Sequence, residues 1–200
     1  MNFEWSVPLT VEPGAAREPG RARALEPVPL VGHERRAKLW QQAADSLGLV
    51  TAVGREQMTG EEAAGRFWLR LEAGSKGERV ATARVEWPPM QGEFAVSERR
   101  WVDALAGGSR PLGEASFDAR FVVRADQDVM IEALLAPEIR ALLLALGEVH
   151  IDDEGARLVA PVDVRSTEAL VASLAPLATA ARLLCAGRDS LPAAGGSPYR

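Results

Sequence analysis

Glu148-Val-His-Ile-Asp-Asp-Glu-Gly-Ala-Arg-Leu-Val-Ala-Pro161 carries two alternating runs about an acidic centre that ends in glycine. Alternation with period two marks a strand with one dry face, and Asp152-Asp-Glu-Gly155 has the composition of a turn. The stretch is therefore predicted to be a hairpin with strands over 148–152 and 156–164. Its faces fix its register. Pairing Ile151 with Ala156 sets Val149 opposite Leu158 on the dry side and His150 opposite Arg157 on the wet side, whereas a slip by one residue would mix the two.

Upstream, Val129, Met130, Ala133 and Leu134, then Ile139, Leu142, Leu143 and Leu146, recur at helical spacing. Pro137 divides them, because proline suits the first position of a helix and not its interior, so helices are predicted over 127–135 and 137–146. Before them, Phe117, Phe121 and Val123 alternate with Asp118, Arg120 and Arg124, which predicts a strand. Downstream, Ser166 or Thr167 caps a helix whose Leu170, Val171, Leu174, Leu177, Ala178, Ala181 and Leu184 form a wide apolar stripe, with a kink expected at Pro176. The order over 115–186 is β-α-α-β-β-α. Such an order is satisfied by an α+β fold of antiparallel sheets with helices packed on one face.

Ser116-Phe-Asp-Ala-Arg-Phe-Val-Val-Arg124, Leu134-Leu-Ala-Pro137 and Val149 to Leu158 together resemble a family of uncharacterised bacterial proteins, a domain of unknown function. Its members have a similar Phe-Asp-x-x-Phe strand, a leucine-rich helical pair and a hairpin. The resemblance covers about 115–165 and implies the same fold; it carries over no catalytic residue.

The first half reads as a helix over 33–47, with Leu39, Trp40, Ala43, Ala44 and Leu47 on one face and Gly48 as its stop. A short strand over 49–53 and a hairpin of 65–73 with 79–87 about Gly74-Ser-Lys-Gly77 follow, then a strand over 93–97 and a short helix over 100–106. In the hairpin Phe67, Leu69 and Leu71 oppose Trp68, Arg70 and Glu72, while Ala81, Ala83, Val85 and Trp87 oppose Thr82, Arg84 and Glu86. The chain thus divides into a proline-rich arm over 1–31, an α+β half with a β-meander over 32–110, the module over 111–187 and a loose tail over 188–200. Gly107 to Gly113 is the expected seam between the halves.

A net charge of −5 argues against a general nucleic-acid binder, which needs a basic face to displace counterions from phosphate. A single cysteine, Cys185, and the lack of a signal-peptide pattern point to the cytoplasm, and apolar runs such as 141–146 are too short to span a bilayer. Lysine is confined to Lys38 and Lys76, a bias that reflects genome composition rather than function.

Chemistry finds little to work with. His33 and His150 belong to no metal-ligand spacing, and Gly107-Gly-Ser-Arg-Pro-Leu-Gly113 matches no phosphate-binding loop. Cys185 sits close to a helix's apolar stripe, where an inert thiol is expected. His150, Asp152, Asp153 and Glu154 are the densest polar cluster: ordinary turn chemistry, or else an acid–base or oxygen-ligand site. No catalytic, cofactor-binding or metal residue is assigned, and no cofactor is implied. Candidate partner-binding residues are Phe3 and Trp5, aromatic anchors on a tether, and Trp68, which lies on the wet side of its strand. For Trp68 the alternatives are a sheet covered on both faces, perhaps by the helix with Trp40, or a partner surface. The expected function is a non-enzymatic interaction or scaffold protein of the bacterial cytoplasm that binds another protein or itself. The alternatives are a small hydrolase or metal-dependent enzyme using His150 with Asp152 to Glu154, and a regulatory or immunity-type inhibitor.

Overall fold

The computed structural model describes residues 32–51, 57–62, 65–74, 78–100 and 109–192. The chain divides into Met1–Leu30 and Val31–Arg200, and all the described residues belong to the second unit. Phe3 and Trp5, the body of the short helix expected over 100–106, and the final residues from 193 lie outside them.

In chain order the described elements are α1 (Gly32–Leu47), β1 (Val50–Thr51), β2 (Gln57–Glu62), β3 (Gly65–Ala73), β4 (Arg79–Glu86) and β5 (Phe94–Glu98). They continue with α2 (Ala115–Arg120), β6 (Phe121–Ala125), α3 (Asp128–Leu134), α4 (Pro137–Ala145), β7 (Glu148–Ile151), β8 (Gly155–Pro161) and α5 (Thr167–Asp189). The strands form one eight-stranded sheet in the order β1-β2-β3-β4-β8-β7-β5-β6. Every neighbouring pair is antiparallel. The fold is α+β with helices on one sheet face. Because β4 pairs with β8 and β5 with both β6 and β7, segments 32–110 and 111–187 build this sheet together.

Alternation explains the dry face. Phe67 and Leu69 of β3, Ala81, Ala83 and Val85 of β4, Ala156, Leu158 and Ala160 of β8, and Val149 and Ile151 of β7 are all buried in one cluster. The hairpin register is the expected one, with Val149 opposite Leu158, His150 opposite Arg157 and Ile151 opposite Ala156. α5 lies over this face, touching β2, β3, β4 and β8, with α1, α3 and α4 against its flanks. Ser166 caps it, its hydroxyl accepting the Ala169 amide at 3.1 Å. By length and composition α5 could cross a membrane, yet Leu170, Leu174, Leu177, Ala181 and Leu184 are buried in the core.

Four local readings are revised. Phe117 is helical, in α2, not part of a strand. Phe117 and Phe121 are four apart, a spacing that also suits a helix, and their rings meet at 4.8 Å across the α2–β6 junction. Asp118 holds α2 in place by accepting the amides of Leu112 and Gly113 at 2.8 and 3.0 Å. Second, α5, with Pro176 inside it, continues through Gly187 to Asp189. Gly187 serves contact rather than termination: a Cβ there would come within 2.2 Å of the Ala133 carbonyl oxygen. Third, Arg188 therefore belongs to the core and not to a tail; it is buried and donates to the carbonyls of Pro88, Pro89 and Leu191. Last, β2 has no counterpart in the sequence reading. Met58 is its one buried side chain, and at Gly60 a Cβ would strike the Phe67 ring at 2.3 Å, so glycine there makes room for a core aromatic.

Candidate functional site

The sheet's second face is the one turned away from α5; its β6 end, at Val122, is buried, while its middle is partly exposed. Directly paired residues of antiparallel strands share a face. The registers therefore draw one row of side chains across all eight strands: Val50, Thr59, Trp68, Arg84, Arg157, His150, Ser97 and Val122. Val50 at its end is 70% exposed, Arg84, Arg157 and His150 are exposed, and Trp68 is half-buried. Two residues along the strands on the same face lie Arg66 and Arg70, flanking Trp68, and Thr82 and Val159, both buried.

Trp68 is thus where its alternation put it. The helix with Trp40 does not cover it: Trp40 and Leu71 line the same small cavity on the helical side, with Leu39, Val164 and Leu170. Trp40 is itself buried, and its indole Nε1 has no hydrogen-bond partner.

Around Trp68 the same face carries Arg66, Arg70 and Arg84 together with Glu61, Glu72 and Glu86, three charges of each sign. Arg66 pairs with Glu61 at 3.4 Å, Arg157 with Glu148 at 2.9 Å, and Glu72 accepts the Thr82 hydroxyl at 2.9 Å. Arg70 and Arg84 have no carboxylate partner among the described residues. Beside Arg84 an open depression of about 260 Å³ is lined by Arg84, Arg157 and His150 together with Glu86, Asp152 and Glu154.

The cluster at the hairpin tip divides. His150 Nε2 and Asp152 Oδ2 approach to 3.4 Å, both largely exposed. The other Asp152 oxygen is engaged by the turn, accepting the amides of Glu154 and Gly155 at 3.0 Å each. The Asp153 carbonyl accepts the Trp87 indole at 3.1 Å and the Met90 amide at 3.2 Å, and the Glu154 carbonyl accepts the Trp87 amide at 3.3 Å. The tip is thereby an anchor for the chain leaving β4. Among the described residues no group of three or more His, Cys, Asp or Glu is placed to hold a metal ion. Cys185 is buried in the core; burial, with a smaller push from the Glu62 carboxylate, raises its thiol to about 11, so it remains protonated and unreactive at neutral pH.

The single-strand patterns placed Trp68, Arg70 and Arg84 on the wet side, but the joining of Trp68, Arg84 and Arg157 into a row depends on the β4–β8 pairing. Residues 84 and 157 are far apart in sequence, and no local signal announces that contact. No protein-family model, no curated protein and no solved structure matches the chain.

Proposed function

We propose that the protein is a non-enzymatic interaction protein of the cytoplasm whose contact surface is the open face of the sheet. One observation carries the reading: an eight-stranded sheet with a helix layer on one side has at the middle of the other Trp68 and two arginines, Arg70 and Arg84, that lack a carboxylate partner among the described residues. Tryptophan and arginine are the residue types that dominate protein interfaces, because each joins a large apolar body to a donor group. The enzyme reading has less in its favour. A nucleophile beside an oriented base is what covalent catalysis requires; His150 has Asp152 at 3.4 Å and Arg157 and Ser97 as its cross-strand neighbours, and among the described residues no hydrogen bond joins it to Ser97 or to another serine, threonine or cysteine.

The test is native co-purification of the full-length chain with mass spectrometry, in parallel with Trp68→Ala and His150→Ala. A stoichiometric protein partner lost from Trp68→Ala and kept by His150→Ala is the expected result. Recovery of a bound metal or small cofactor, with activity abolished by His150→Ala, would install the enzyme reading instead. The arm with Phe3 and Trp5 enters the same experiment as a truncation of 1–31, expected to weaken association.

A further inference from the structure

We infer that Arg99 and Arg110 guard the β6 edge of the sheet, keeping it from pairing with β6 of a second copy of this chain. This guard acts at an edge and does not depend on the open-face reading above.

The strand order leaves two edges among the described residues, β1 and β6. β1 is two residues long and β6 five. A very short edge offers little ladder to a newcomer, whereas a longer apolar one is a template for pairing. β6 is of the second kind, since Phe121, Val122 and Val123 are strand-favouring residues and all three are buried. It is also self-complementary. Set antiparallel to a copy of itself about Val123, it brings Phe121 opposite Ala125 and Val122 opposite Arg124, so no like charges meet. Such a pairing has a two-fold axis and closes as a dimer.

Donors from outside the ladder occupy that edge. In an antiparallel ladder alternate residues turn their backbone groups away from a given neighbour, and on β6 the carbonyls of Phe121, Val123 and Ala125 are all engaged by residues 99 and 110. Arg99 Nη2 donates to the Phe121 oxygen at 3.2 Å, the Arg110 amide to the Val123 oxygen at 2.8 Å, and Arg110 Nη1 to the Ala125 oxygen at 3.5 Å. A second strand would need the same three acceptors. Both guanidinium groups are held in place: Arg99 also donates to the Asp118 carbonyl at 3.1 Å and the Ser109 hydroxyl at 3.3 Å, and Arg110 pairs with Asp128. Arg99 is exposed and Arg110 half-buried, so replacing them opens the edge without emptying the core.

Sedimentation equilibrium of the full-length chain tests the guard in wild type, in Arg99→Ala/Arg110→Pro, and in that double variant with Ala125→Pro added. The double variant removes all three donors, because proline has no amide hydrogen, and Ala125→Pro then denies a second strand its own donor on β6. With a native circular dichroism spectrum, the double variant is expected at twice the wild-type mass at equal concentration. Its Val123 and Ala125 amides should exchange more slowly as concentration rises, and Ala125→Pro should restore the wild-type mass. A double variant of wild-type mass, or an association that ignores Ala125→Pro, overturns the inference and leaves the open-face reading standing. If the double variant loses its native spectrum, Arg99→Ala/Arg110→Ala, which keeps the amide on Val123, replaces it: a weaker rise in mass is then expected, and no rise overturns the inference.

Discussion

Phe67 and Trp68 are consecutive residues of one strand, yet they belong to different chemical problems. Phe67 is fully buried beneath α5, in a cluster that gathers side chains from every layer of the fold. Trp68 stands on the far side among arginines, in a row that reaches from Val50 to Val122. On the first face the apolar content is set by what the helices must cover. On the second, no described helix makes that demand, and the proposed partner surface is the reading offered for an aromatic there.

If the helical face carries the stability, its variants should dominate the scale. Leu174, fully buried at the middle of α5, should cost about 2 to 5 kcal/mol on substitution by Ala, through lost transfer energy and the cavity left behind. Urea unfolding measures this, and a cost near zero would mean that α5 does not seal the core. Arg188→Met should come next, at about 1 to 3 kcal/mol, because the Pro88 and Pro89 carbonyls lose a buried donor. Ser166→Ala should cost about 1 kcal/mol by removing the cap on the Ala169 amide, read as a small fall in melting temperature. The smallest effect belongs to the open face: His150→Ala, at an exposed position, should stay within about 0.5 kcal/mol of wild type. A loss there as large as that of Leu174→Ala would erase the distinction between the faces.

Local periodicity made much of this fold legible. The hairpin of β7 and β8 had both its register and its faces in the sequence, because Val149, Ile151, Ala156 and Leu158 are apolar while His150 and Arg157 are not. The split at Pro137 was equally plain, since a proline there opens α4. Where two periods agree with the same residues, reading failed: Phe117 and Phe121 satisfy both a strand and a helix turn, and tertiary anchoring through Asp118 chose the helix. Met58 alone could not announce β2, whose place is fixed by β3 rather than by its own pattern. Of the candidate site, Trp68, Arg84 and their side of the first hairpin were readable; the alignment of Arg157 of β8 beside Arg84 was not, because strand order is a property of the whole sheet.

One side of this sheet holds the fold together, and the other is the proposed partner surface. Urea unfolding of Phe67→Ala and Trp68→Ala, measured side by side, tests it most directly. Removing Phe67 should cost about 3 to 5 kcal/mol, and removing Trp68, which keeps part of its surface in water, should cost less. Equal losses, or a larger one for Trp68→Ala, would show that the second face is sealed within the monomer and would contradict the claim.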